Sequence, residues 1–153
     1  MPRLLVRPGP EGKYFGRLCE EELSPWFEQR EFETVDALRS DTMVAWRRAG
    51  FFAEFQYWPE DQPDFPVMAG IGLIRDMPFG FFGPRKPMRH GLGLWEVVTD
   101  DSSRSVLRET FRNENQLRRL LGKIRDRALP FAEPYFADRK AMEAAIKDRK
   151  RVR

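Results

Sequence analysis

Between Phe51 and Trp58 the chain alternates: Phe51, Ala53, Phe55 and Tyr57 fall on one side of an extended backbone, and Phe52, Glu54, Gln56 and Trp58 on the other. That period of two belongs to a strand. Thr42 to Arg48 is a second extended run, and Ala49-Gly50 between the two predicts a hairpin. The Pro- and Asp-rich stretch Pro59 to Asp64 reads as a turn, and Phe65 to Ile74 as a third strand with Val67, Ala69, Ile71 and Leu73 on one side. Gly70 and Gly72 fall on its opposite side, where they leave room for a large side chain or a helix backbone to pack closely.

Helical spacing governs the two ends of the chain. Tyr14, Phe15, Leu18, Cys19, Leu23, Trp26 and Phe27 recur close to the period of 3.6 and predict an amphipathic helix that buries Phe15, Leu18 and Trp26. Pro25 removes an internal hydrogen bond, so this helix is expected to kink or to divide in two, with Ser24 capping the second piece. Asn113, followed three positions later by Gln116, resembles a capping box, and Leu117, Leu120, Leu121, Ile124 and Ala128 continue as an apolar stripe. Pro130 stops that helix near Leu129. Asp138 can cap a last helix with Ala141, Met142, Ala145 and Ile146 inward, and its cationic end is expected to fray.

The middle of the chain is punctuated differently. Met77 to Gly93 carries Pro78, Pro84 and Pro87 with Gly80, Gly83, Gly91 and Gly93, a content that reads as a long loop or irregular hairpin connection. Leu94 to Val98 reads as a fourth strand closed by Thr99 to Ser103, and Arg104 to Arg112 leans towards another extended piece.

Charge divides along the sequence. Residues 1 to 76 carry 9 basic and 14 acidic side chains, net −5, and residues 77 to 153 carry 18 and 10, net +8. The sum is the overall +3. Of the 27 basic residues 21 are arginine, a fixed charge suited to carboxylate or phosphate and also the product of GC-rich coding. One cysteine and one histidine exclude an internal disulfide and a zinc site of the usual kind. No apolar run is long enough to cross a bilayer, and the N-terminal apolar run is too short for a signal-peptide core, so a cytoplasmic location is expected.

Few residues offer catalytic chemistry. His90 is the only imidazole on which a triad could be built, and Cys19 lies on or beside an apolar helix stripe, where a cysteine acts as a small hydrophobe. The chain has no G-x-S-x-G, no G-x-x-x-x-G-K-[ST] and no G-x-G-x-x-G after a strand. Among the carboxylates Glu20, Glu21, Glu22, Glu54, Asp61, Asp64, Glu96, Asp100 and Asp101, only Glu54 and Glu96 fall in expected strands, where they could share a sheet face. A metal-dependent hydrolase would need such a pair. Glu20 to Glu22 and Asp100-Asp101 read as solvated surface.

Two basic features remain. In the loop, Phe79, Phe81 and Phe82 interleave with Arg85, Lys86, Arg89 and His90, a mixture that can anchor a protein partner or stack on bases, or else tuck under the loop as a satellite core. On the long helix Arg118, Arg119, Lys123, Arg125 and Arg127 form a face that can follow phosphates, or meet the acidic first helix of the same molecule or of a second copy.

The chain also resembles a bacterial domain-of-unknown-function family, number forty-three-oh-four. The similar parts are the first helix leading through Pro25-Trp26-Phe27 to Phe32, hairpin strands ending in Phe55-Gln56, the strand Val67 to Leu73, and Leu94-Trp95-Glu96. A helix and then Ala128-Leu129-Pro130-Phe131 before a closing helix complete the likeness, which spans about residues 14 to 146. Glu31 stands where glycine is expected before Phe32, and the loop 77–93 looks like an elaboration. The resemblance implies an α+β fold and carries over no active site.

The expected architecture is one α+β domain over residues 1–153, with 1–12 and 148–153 frayed: an antiparallel sheet of four or five strands, its first and last two helices packed mainly on one face. The expected function is that of a non-catalytic cytoplasmic protein that binds another protein, such as an immunity or accessory factor, through Phe79, Phe81, Phe82, Arg85, Lys86, Arg89 and His90. The alternative is nucleic-acid binding through the basic C-terminal half, with Arg118, Arg119, Lys123 and Arg127; the third reading is the hydrolase. No cofactor, metal or membrane is expected, and a homodimer is compatible with the charge pattern.

Overall fold

The computed structural model describes residues 13–57, 67–73 and 91–152. Helix α1 (Phe15–Glu28) buries Phe15, Leu18, Cys19, Leu23, Trp26 and Phe27. It continues through Pro25 as one element, with that proline on the exposed side, where the missing hydrogen bond does not disturb the core. Phe32 follows on a left-handed Glu31 (φ 66°), and two residues of strand β1 (Glu33–Thr34) pair with the next strand.

Strands β2 (Met43–Arg48) and β3 (Phe51–Tyr57) form the hairpin that the alternation predicts. Ala49 (φ 44°) and Gly50 (φ 94°) both take positive φ, the geometry of a two-residue turn whose twist matches its strands. Strand β4 (Val67–Leu73) pairs antiparallel with β3, and β5 (Gly91–Gly93) with β4, which completes a five-stranded sheet in sequence order. The C-terminal end of the stretch expected to be loop is therefore an edge strand.

Directly opposed residues share a sheet face. One face carries Val44 and Trp46, Ala53, Phe55 and Tyr57, Ile71 and Leu73, and Leu92. The helices lie on it: Phe27 stacks on Trp46 at 4.2 Å between ring centroids, Phe15 on Tyr57 at 5.4 Å, and Phe136 meets Phe51 edge-on at 6.0 Å. These residues join Leu117, Leu121, Ile124, Met142 and Ile146 in one apolar cluster. The α+β fold, with its helices on one face of an antiparallel sheet, stands as the sequence implies.

Two segments differ from expectation. Leu94–Val97 is not a strand but a single helical turn, α2, because the Gly93 N–H donates to Glu96 Oε2 (2.8 Å) and the Val98 N–H to the Leu94 carbonyl (3.1 Å). Asp101–Val106 within the next stretch is helix α3, capped by Asp100, whose carboxylate accepts from the Ser103 N–H at 2.9 Å.

Helix α4 (Glu114–Lys123) starts where Asn113 Oδ1 accepts from the Gln116 N–H (2.9 Å), while Gln116 Oε1 accepts from the Arg112 N–H (2.8 Å). It widens into a π turn over Ile124–Ala128 and tightens into a 3₁₀ turn over Leu129–Ala132, where Pro130 has no N–H to extend the ladder. Helix α5 (Glu133–Ala137) brings in Phe136, and α6 (Arg139–Val152) is capped by Asp138, which accepts from the Lys140 and Ala141 N–H groups.

Candidate functional site

The acidic side of α1 and the basic side of α4 meet. Arg118 donates to Glu22 (2.9 Å) and to Glu21 (2.9 Å), Arg17 donates to Glu114 (3.0 Å), and Arg125 lies 3.6 Å from Glu22. The guanidiniums of Arg118 and Arg125 are held above their ordinary range by hydrogen bonds, the first to Glu22 and Glu21 and the second to Asp126. Glu20 pairs with Arg39 across the other flank of α1. The three consecutive glutamates are thus paired with arginines rather than left as bare solvated surface.

This contact redistributes the expected phosphate-binding set. Arg118 is engaged by α1, and Lys123 donates to Glu109 at 3.0 Å. Arg119 and Arg127 are exposed and hold no ion pair among the described residues. Half of the four-residue set is tied to carboxylates of the same molecule.

The second region is the sheet face opposite the helices. In register across it run Ala45, Glu54, Gly70 and Gly93, and beside them Arg47, Phe52, Gly72 and Gly91. Ala45 and Phe52 are fully buried, yet neither belongs to the apolar cluster under the helices. Glu54 is 6% exposed, and its Oε2 has no hydrogen-bond partner. Burial raises its carboxyl to about 7, against the opposing effect of a hydrogen bond from Gln56. A carboxyl in this setting keeps its proton at pH values where an ordinary glutamate has lost it, and is largely neutral only below about 7.

Glu54 and Glu96 do not form the two-carboxylate face expected of paired strands. Glu96 belongs to α2, and its carboxylate accepts from the Gly93 backbone. Among the described residues no group of three or more His, Cys, Asp or Glu side chains is placed to hold a metal ion. Cys19 is fully buried in α1, and desolvation pushes its thiol well up, the setting of a packing cysteine. Asp100 serves as a helix cap; its carboxyl is held low by hydrogen bonds from Ser102 and Ser103.

At the β5 edge stands Trp95, 41% exposed, the one exposed large apolar side chain among the described residues. Its indole sits so close to Gly93 that a Cβ there would overlap Nε1, so the glycine is what lets the ring approach the strand this closely. Nothing in the sequence marks Trp95 as a surface residue, because the aromatic and β-branched run Leu94 to Val98 reads as a strand. Phe79, Phe81, Phe82, Arg85, Lys86, Arg89 and His90, with Asp61 and Asp64, lie outside the described residues.

No protein-family model, no curated protein and no solved structure matches the chain. The resemblance to the bacterial family of unknown function therefore rests on the residues that carry it. Among the described residues no helix is long and apolar enough to cross a membrane.

Proposed function

We propose that the chain is a non-catalytic cytoplasmic protein that acts by binding another protein, as an immunity or accessory factor does. The observation that carries this reading is Trp95: a large aromatic ring, partly exposed and packed closely over Gly93, is the kind of anchor on which protein interfaces concentrate their energy. The sequence adds Phe79, Phe81 and Phe82 with Arg85, Lys86, Arg89 and His90 in the segment joining β4 to β5, which returns to the sheet four residues before Trp95. A lone, buried cysteine suits a reducing compartment.

Affinity capture tests it with three baits: wild type, Trp95→Ala, and Phe81→Ala/Phe82→Ala/Arg85→Ala. A protein retained by wild type and lost with either variant supports the reading. Identical profiles for all three remove both anchors from it.

Arg119 and Arg127, exposed and unpaired among the described residues, favour a second reading as a nucleic-acid binder. Its signature is an affinity that falls steeply as salt rises.

A further inference from the structure

The helix that begins as α4 carries cations on two flanks, and α1 meets only one of them. On that flank Arg118 and Arg125, seven positions apart, face the carboxylates of Glu21 and Glu22. On the other, Arg119 and Arg127 are exposed and hold no ion pair among the described residues, while Lys123 between them is paired with Glu109 at 3.0 Å. In a regular α-helix a residue eight positions on lies about 80° past its start. The π turn over Ile124–Ala128 takes more residues per turn, so it removes much of that offset and brings Arg127 towards the line of Arg119 and Lys123.

We propose that this second flank docks an acidic helix of a partner protein, whose carboxylates, spaced two turns apart, pair with Arg119 and Arg127. The assignment rests on the protein-binding reading and gives the partner its chemistry. Two turns of helix rise roughly 10–12 Å, the spacing of the two arginines along the axis, so acidic residues seven positions apart on one helix face meet both. The first flank is the precedent, since there an acidic helix of the same chain meets Arg118 and Arg125. A phosphate chain fits less well: the Glu109 carboxylate sits at Lys123, between the arginines, and exposed Asp126 stands beside Arg127. Both repel a continuous run of phosphates, whereas two discrete carboxylates avoid them.

The test measures binding of labelled probes to the intact chain by fluorescence anisotropy at low salt. The probes are an alanine-based helical peptide with glutamates seven positions apart on one face, a scrambled isomer, and single-stranded and duplex oligonucleotides. The patterned peptide should bind more tightly than its isomer. Arg119→Ala/Arg127→Ala should weaken it about tenfold, as the loss of two exposed pairs predicts. Lys140→Ala/Lys147→Ala, which removes two exposed cations of α6, should leave it unchanged. No binding of the patterned peptide, equal binding of its isomer, or equal losses in both variants would overturn the proposal. Oligonucleotides that bind more tightly than the peptide through the same two arginines would overturn it as well. The protein-binding reading survives each of these results if Trp95→Ala still loses a partner in affinity capture, so the two failures are told apart.

Discussion

Arg118 and Glu22 stand 2.9 Å apart across the α1–α4 contact, although 96 positions separate them in the chain. The charge split seen along the sequence is therefore complementary within one molecule: the acidic helix of the first half covers part of the basic helix of the second. Replacing Glu22 by Lys sets a like charge beside Arg118 and Arg125. The melting temperature should fall, and the loss should shrink when salt is raised from about 0.05 M to about 0.5 M, because the partners are partly exposed and screened. Adding Arg118→Glu should restore part of it.

Gly16 and Gly122 are both helical glycines, and alanine should act on them in opposite directions. A Cβ on Gly16 would overlap the Ser40 carbonyl oxygen, where α1 packs against the loop whose Asp41 carbonyl accepts from the Gly16 N–H at 2.7 Å. Gly16→Ala should cost about 1–3 kcal/mol in urea denaturation. Among the described residues a Cβ on Gly122 meets only Arg125 Nη2, at 3.6 Å, so Gly122→Ala should stabilise α4 by about 0.5–1 kcal/mol.

Arg48 bridges three elements. It donates to the carbonyls of Arg30 (2.7 Å) and Phe136 (2.5 Å) and lies 4.6 Å from the Phe32 ring centroid. Arg48→Met leaves both carbonyls without that donor and should cost about 1–3 kcal/mol. Arg48→Lys should recover little of this, since a single ammonium lacks the fork that reaches two separate oxygens.

Glu54 makes global stability fall as pH rises. Its folded-state value of about 7 lies above the ordinary 4.5, so the unfolded chain releases the proton first. The contribution is complete below pH 4.5, declines up to about pH 7 and is absent above it. Urea denaturation of wild type and Glu54→Gln should therefore diverge over that window by ~3 kcal/mol, with the variant gaining on wild type as pH rises.

The parts of the fold that could be read in the sequence are those where a local signal and the tertiary demand agree. Asn113 caps α4 and Asp138 caps α6, as their positions before apolar stripes imply. Ala49-Gly50 turns the hairpin because the alternation on either side already fixes the faces. Elsewhere one local signal is compatible with two structures. Leu94-Trp95-Glu96-Val97-Val98 is rich in the aromatic and β-branched residues that favour strands, yet Glu96 reaches back to the Gly93 N–H and closes a helical turn. Asp100 is a helix cap, but Val106 and Leu107 are too few apolar positions to give α3 a period. Glu54 and Gln56 share an alternation class with Phe52 and Trp58, so the alternation alone does not say whether their face is buried; the assembled sheet shows Phe52, Glu54 and Gln56 buried.

Glu21 and Glu22 of α1 engage Arg118 and Arg125 on the basic side, which supports the proposal of a protein rather than a nucleic acid as the partner. Titration of the intact chain with duplex and single-stranded nucleic acid across a salt series tests this most directly. If a protein is the partner, no salt-dependent binding should be seen even at low salt. A low-salt affinity that falls steeply with added salt, and that Arg119→Ala/Arg127→Ala abolishes, would contradict it.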